Sequence, residues 1–375
     1  MDVSLIVIVV VLTALAFDFT NGFHDTANAM ATSIATGAFR PRTAVAIAAC
    51  LNLAGAFLSV QVAKTISGGL VDDTLINPVV IFAGLIGAIV WNLVTWYLGL
   101  PSSSSHALFG GLIGATWVAG GVGAIDFNAV LNKIILPAAL SPVVAALIAV
   151  AATYLAFRVT ARAAPSSVNR GFKVSQRVSA SMVALAHGTN DAQKTMGVIT
   201  LTLITAGMLA PGSPPPFWVV LSAGLAIGLG TYMGGWRIIQ TLGKRVSDIQ
   251  TPQGFAAETS AATVILASSH LGFALSTTQV ATGAIFGAGA GRRLASVQWG
   301  VAGQMALAWL FTLPAAAIVG AVAAWVAGTG VTGTIIVAVV LIAAAAGIYA
   351  ASRRRPINAD NVNDVPAPVP ASAAA

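Results

Sequence analysis

The chain has 375 residues; 57% are apolar and only 8% are Asp, Glu, Lys or Arg, where a soluble domain carries about 25% charged residues. Its formal net charge is +7 and its mean hydropathy is +0.88. These values exclude a soluble globular enzyme and a disordered chain, and the length allows about a dozen membrane-spanning helices with short connections.

The apolar stretches are long and rich in Ala, Val, Leu, Ile and Gly, as helices are, whereas a β-barrel would show short alternating segments. The start, MDVSLIVIVV, has no basic n-region and no cleavage signature, so it reads as a retained first span. Spans are predicted near 3–22, 44–63, 79–99, 107–122 and 134–157. The segment 158–178 carries Arg158, Arg162, Arg170, Lys173 and Arg177 without an acid, and it is read as a basic cytoplasmic linker. Further spans follow near 180–209, 217–237, 255–273, 280–291, 299–326 and 331–351. The organisation expected is a first transmembrane repeat over 1–157, the linker, a second repeat over 179–351 and a disordered cytoplasmic tail over 352–375.

With the linker inside, Arg40, Arg42, Arg237, Lys244, Arg245, Arg292, Arg293 and Arg353–Arg355 also fall inside, while Asp72, Asp73 and Asp126 fall outside. Lys64 and Lys133 are the exceptions. The lone Cys50 offers no disulfide and no metal cluster, and no cofactor or nucleic acid is expected.

Asp18, Asp25, Asp191, Glu258, Lys194, His24, His106, His187 and His270 lie in or beside apolar segments. A charge at the bilayer centre costs about 2.5–3.5 kcal/mol on insertion scales, so such residues point to function. Asp18 is balanced between a role and a bland place as a helix cap. Asp25 and Asp191 each sit in a polar cluster.

Those clusters match. N-G-F-H-D-T-A-N-A runs from Asn21 to Ala29, and H-G-T-N-D-A-Q-K-T from His187 to Thr195, so that Gly22, His24 and Asp25 align with Gly188, Asn190 and Asp191. Further on, S-S-S-H-A-L-F-G (Ser103 to Gly110) matches S-T-T-Q-V-A-T-G (Ser276 to Gly283). Two motifs in the same order at similar spacing indicate two copies of one unit. The orientation makes the copies inverted, the construction of many secondary transporters. The first apolar segment would be about 54 Å long as one helix, beyond the roughly 30 Å hydrocarbon core, so a break is expected at Asn21–Asn28 and another within 180–209. Pro101–His106 reads as the tip of a re-entrant hairpin, where hydroxyls and free N–H groups at a helix start make an anion site. A single Ser in a membrane helix more often bonds its own backbone; a run of four matched by S-T-T argues otherwise.

At these residues the chain resembles the inorganic phosphate transporter (PiT) family, in its bacterial low-affinity branch. The resemblance covers about residues 1–350 and rests on G-F-H-D-T-A-N-A with P-S-S-S-S-H and on A-H-G-T-N-D-A-Q-K with S-T-T. It implies an all-α polytopic membrane protein of about 11–12 spans, two inverted-topology repeats with broken helices and re-entrant hairpins. It further implies import of inorganic phosphate across the plasma membrane by cation symport, and a homodimer is an open assembly. Some relatives carry sulfate. The chain departs from the pattern: Leu275 replaces the hairpin proline, Gln279 replaces its histidine, and Asn52 stands where sodium-coupled relatives have a Glu, although Glu258 retains the second-half equivalent.

Phosphate near Asp25, Asp191 and Glu258 would form an uncompensated anionic cluster unless cations travel with it, since Lys194 is the only strong base nearby. Asp25 and Asp191, with His24, Asn21 and the candidate proton carrier Glu258, are therefore expected to hold the coupling cation. Ser103, Ser104, Ser105, Ser276, Thr277 and Thr278 are expected to hold phosphate oxygens, with Asn28, Asn190 and Gln193 completing the polar shell. No catalytic residue and no resident metal is expected. The coupling ion favoured is H⁺, because Asn52 cannot ionise, Glu258 is a solitary carboxyl at membrane depth, and His24 stands beside Asp25 as a further candidate proton carrier; a divalent metal carried as a metal–phosphate complex and Na⁺ stay open, as does a sulfate permease of the same fold. A hydrolase using Ser, His106 and an Asp is disfavoured, since the second copy has no matching His and no G-x-S-x-G elbow is present. A passive channel is the other rival.

Overall fold

In the computed structural model the described residues are 3–67, 76–246, 248–292 and 297–364, and they are almost entirely helical. Asp72, Asp73, Arg293 and the tail from 365 lie outside them. The helices are α1 (Val3–Ala35), α2 (Pro41–Gly55), α3 (Gln61–Ser67), α4 (Pro78–Leu98), α5 (Ser104–Gly120), α6 (Phe127–Val130), α7 (Leu136–Val159), α8 (Pro165–Thr205), α9 (Phe217–Met233), α10 (Trp236–Gln240), α11 (Thr251–His270), α12 (Thr277–Ala290), α13 (Trp299–Ala327) and α14 (Val331–Ser352). Short π-helical turns at Leu131–Ile135 and Thr241–Arg245 join α6 to α7 and extend α10.

The helix ends follow local chemistry. Asn77 caps α4 by accepting from the N–H groups of Val79 and Val80, with Pro78 in the first turn, and Gly99 ends it at φ 67°. Ser103 caps α5 by accepting from His106 N at 3.1 Å, and Ser276 caps α12 by accepting from Gln279 N at 3.2 Å. The two matching motifs thus start two helices in the same way. Trp309 Nε1 donates to Pro101 O at 3.0 Å and holds the α4–α5 corner against α13.

Two expectations need correction. α1 and α8 run unbroken through their polar clusters. Their backbone stays satisfied within the helix, and the polar side chains find partners on neighbouring helices, so no unwinding is needed. At 33 residues α1 is about 50 Å long and must tilt or project from a bilayer. The break falls instead at Gly234–Gly235, where α9 and α10 meet at 61° and Gly234 takes φ 74°. The linker is also different: α8 begins at Pro165, so residues 165–178 are its first turns. Exposed basic side chains on one face are compatible with helix, and Gln176 there donates to Glu258 Oε1 at 3.0 Å.

Among the described residues, five helices are long and apolar enough to cross a membrane: Leu5–Ala35, Pro78–Leu98, Phe127–Val159, Trp299–Ala327 and Val331–Ser352. The bent α9–α10 pair makes a sixth. That is fewer than 11–12, because helices such as α8, α11 and α12 are short or carry many polar residues and are enclosed by the others. The lipid-facing character is plain on α7, α13 and α14, where Leu147, Ile318, Val322, Val339 and Ile342 are exposed. A run of such side chains facing water would be untenable in a soluble protein.

Packing is reciprocal between the halves. α5 of the first half packs on α13 of the second, and α12 of the second packs on α7 of the first. α1 packs on α9 and α8 on α2. Gly22 and Gly188, the aligned motif glycines, serve these last two contacts: a Cβ on Gly22 would lie 2.4 Å from Ile227 O, and one on Gly188 2.2 Å from Asn52 O. Gly188→Ala is expected to force α2 and α8 apart and to destabilise the fold by about 1–3 kcal/mol. Thermal unfolding in detergent measures this, and an unchanged midpoint would show that the contact can relax.

The basic residues gather at one end. Arg177 Nε donates to Ala38 O at 2.8 Å, Lys244 Nζ to Ala35 O at 3.0 Å, and Arg237 Nη2 to Ser352 O and Arg355 O. The segment after 352 is not free here. Val362 is buried, Gln240 Nε2 donates to Asp364 O at 2.8 Å, and Arg42 pairs with Asp360 at the surface.

Candidate functional site

Three polar layers cross the α1–α8 interface. The helices run antiparallel, so ascending residues of α1 face descending residues of α8: Asp18 beside Thr195, Asp25 beside His187 and Asp191, and Thr32 beside Gln176 and Ser179 through Glu258. Every one of these side chains is buried.

The middle layer is the richest. Asp25 Oδ1 lies 2.6 Å from His24 Nδ1 and accepts from Thr278 Oγ1 at 3.2 Å; its Oδ2 accepts from Ser104 Oγ at 3.0 Å. His24 Nε2 is 3.0 Å from Thr95 Oγ1, which accepts from Ser102 Oγ at 2.8 Å. Asp191 Oδ1 is paired with Lys194 Nζ, one helical turn away, and its Oδ2 accepts from Thr277 Oγ1 at 3.0 Å. Lys194 Nζ also donates to Ser105 Oγ at 2.5 Å and to Leu275 O at 2.9 Å. The two carboxylates come from the two matching motifs, and each takes a hydroxyl from the start of α12, while α5 supplies a further hydroxyl to Asp25.

His187 joins the carboxylates. Its Nε2 stands 2.9 Å from Asp191 Oδ2 and 3.9 Å from Asp25 Oδ2, and its Nδ1 is 3.2 Å from Asn52 Oδ1. Asn52 in turn donates to Thr231 Oγ1 at 2.7 Å. One oxygen of Asp25, one of Asp191 and a ring nitrogen of His187 lie within 4.8 Å of one another, a spacing that suits one cation. Such N/O donors suit a divalent ion; the sequence predicts no resident metal but places the coupling cation at Asp25 and Asp191. His187 was the residue that sequence reasoning missed. Its signal was its place one turn before Asp191 on the same helical face.

The other expected residues divide. Asn28 Nδ2 donates to Thr278 Oγ1 at 3.1 Å and belongs to the centre. Ser104, Ser105, Thr277 and Thr278 reach the centre with their hydroxyls, whereas Ser103 and Ser276 act as caps. Asn190 instead bonds Ser269 Oγ at 2.9 Å and Phe273 O at 3.3 Å. Gln193 Oε1 accepts from Val62 N and Ala63 N and caps α3 rather than facing the centre. Asn21 sits in the Asp18 layer. Glu258 stands apart from the centre, accepting from Thr32 Oγ1 at 2.6 Å, Ser179 Oγ at 2.6 Å and Gln176 Nε2.

The arrangement has no nucleophile aimed by a base at an open cleft. It offers two buried carboxylates, a Lys and a His as cationic partners, and hydroxyls at two helix N-termini whose dipoles favour an anion. Groups of these kinds are the ones that recognise an oxyanion and a cation.

Comparison with known proteins gives the same direction. The sequence model of the PHO4 phosphate transporter family matches residues 21–169 and 156–320. A protein of Mycobacterium tuberculosis (strain CDC 1551 / Oshkosh) described as a probable low-affinity inorganic phosphate transporter is 54% identical over 361 residues, 96% of this chain and 87% of its own. A protein of Bacillus subtilis (strain 168) with the same description is 43% identical over 326 residues, 86% of this chain and 98% of its own. A solved structure described as the sodium-dependent phosphate transporter superposes with a TM-score of 0.78 at 25% identity, covering 86% of this chain and 99% of that one. The relatives are transporters, and the chain is a polytopic membrane protein rather than an enzyme; it belongs to the phosphate transporter family.

Proposed function

We propose that the chain imports inorganic phosphate across the plasma membrane as a cation symporter, with the two halves acting as inverted repeats in alternating access. The observation that carries this reading is the convergence of Asp25 and Asp191, one from each matching motif, on one buried centre that also receives hydroxyls from the starts of α5 and α12. Reciprocal packing of α5 on α13 and α12 on α7 supports the repeat reading. Gathering of the basic residues at one end supports a cytoplasmic face there.

In this reading Ser104, Thr277 and Thr278 turn their hydroxyls from carboxylate oxygens, and Ser105 from the Leu275 carbonyl, to phosphate oxygens. Asp25, Asp191 and His187 hold the cation that offsets the charge. Phosphate beside two carboxylates would otherwise be repelled strongly in a low-dielectric site. Their geometry supports a divalent metal entering with the anion as a complex. For coupling we assign H⁺: Asn52 hydrogen-bonds His187 and Thr231 and offers no second carboxylate for Na⁺. A Na⁺-coupled reading is favoured by the likeness to a sodium-dependent transporter.

Uptake of labelled phosphate into proteoliposomes separates these readings. An imposed inward pH gradient without sodium is expected to drive accumulation, and excess sulfate is expected to leave it unchanged. Accumulation that needs a sodium gradient and ignores the pH gradient overturns the H⁺ assignment. Competition by sulfate equal to that by phosphate overturns the substrate.

A further inference from the structure

The layer at Asp18 has no part in the centre just described, and its chemistry is its own. Asp18 is completely buried, and among the described residues neither of its carboxylate oxygens has a hydrogen-bond partner. Asn21, one turn further along α1, and Thr195, facing it from α8, lie beside this carboxyl group at the outer edge of hydrogen-bonding reach, too far for a well-formed bond. Both are completely buried too. Asn21 Oδ1 and Nδ2 and Thr195 Oγ1 likewise have no hydrogen-bond partner. Thr189 and Thr200 bond the carbonyl four residues back, whereas Thr195, like Thr116, Thr153 and Thr282, does not, and of these four it is the one that faces Asp18.

An unpaired carboxylate, an unpaired carboxamide and an unpaired hydroxyl collected in one dry place are each costly. Together they are a ligand set. The acceptors are hard oxygens, with no sulfur or imidazole among them, and hard oxygen donors select hard cations. One carboxylate among neutral oxygens balances one positive charge. A divalent ion would remain undercompensated, whereas the centre, with two carboxylates and an imidazole, suits it better. The place in the fold adds a purpose. Thr195 lies one turn beyond Asp191 on α8, and the Asp191 and His187 side chains are within electrostatic reach of Asp18. A cation held here neutralises Asp18 and so removes negative potential from beside the anion centre without touching the anion.

We propose that Asp18, Asn21 and Thr195 form a separate site for one dehydrated monovalent cation of the Na⁺ class. Its binding does not depend on which ion drives transport or which anion is carried, so it can be tested in protein that transports nothing. The probe is ²²Na⁺ binding to the purified full-length protein at fixed pH, with choline as the replacing cation. The wild type is expected to bind ²²Na⁺ and to release it to unlabelled Na⁺. Asp18→Asn is expected to lose this binding. Thr195→Val keeps the charge and the shape and is expected to weaken it about tenfold, the loss of one ligand to a charged group. In the Asp25→Asn background, where the centre is impaired, the same two losses are expected. If Asp18→Asn does not fold, Thr195→Val alone decides. Absence of Na⁺ binding by the wild type, or wild-type affinity in Thr195→Val, overturns the proposal. Phosphate uptake is read separately in the same preparations, so failure of the transport reading is recognised as its own result.

Discussion

Asp25→Asn and Asp191→Asn are each expected to lower coupled phosphate uptake at least about a hundredfold while leaving a folded, inserted protein. Asn has nearly the volume of Asp and can still accept from Ser104 or Thr277, so packing is kept and charge is removed. The charge is what the centre needs. His187 faces both carboxylates, Lys194 pairs with Asp191, and His24 pairs with Asp25. With one carboxylate gone, the donor set for a cation between the halves is incomplete. A hundredfold loss corresponds to about 2.8 kcal/mol, just below the about 3–5 kcal/mol for losing one partner of a buried charge pair, so it is a lower bound. Initial uptake rates in proteoliposomes, normalised to folded protein, measure it. Uptake within a few-fold of wild type in either variant removes that carboxylate from the mechanism.

Lys194→Met has the largest expected effect on stability. Lys194 is among the largest completely buried side chains, and its ammonium holds Asp191, Ser105 and Leu275 O together. Met fills the space of the aliphatic stem but leaves the Asp191 carboxylate without its strongest partner. Removing one member of a buried pair costs about 3–5 kcal/mol. The double variant Asp191→Asn with Lys194→Met removes both charges and is expected to recover most of that loss, since the coupling is between neighbours. It is not expected to recover uptake. Thermal unfolding of the two single variants and the double variant completes the cycle. Additive losses would show that the pair contributes little and that Lys194 acts by packing alone.

Both predictions concern residues that were visible as anomalies in the sequence, and the reason is physical. A charge in an apolar run is costly, so Asp25, Asp191, Lys194 and Glu258 stand out wherever the fold puts them. The match between Asn21–Ala29 and His187–Thr195 likewise needs no coordinates, nor does the membrane class, which follows from 57% apolar residues and short basic patches.

What the sequence alone determined, then, was the helical membrane architecture, the doubled motifs and most of the polar residues that meet at the centre. The tertiary structure decided the rest. Continuity of α1 and α8 depended on whether neighbouring helices could satisfy Thr26, Asn28 and Asp191, and partners such as Thr231 and Thr278 come from more than two hundred residues away for Thr26 and Asn28. The same holds for the division of labour among like residues. Ser103 caps while Ser104 reaches Asp25, and Gln193 turns to α3 while Lys194 turns to the centre, because successive side chains on a helix point about 100° apart and only packing fixes which face is inward. His187 and Asp18 gained their places in the same way. A residue's partners across an interface are set by which helices pack together, and that is a property of the whole chain rather than of its local pattern.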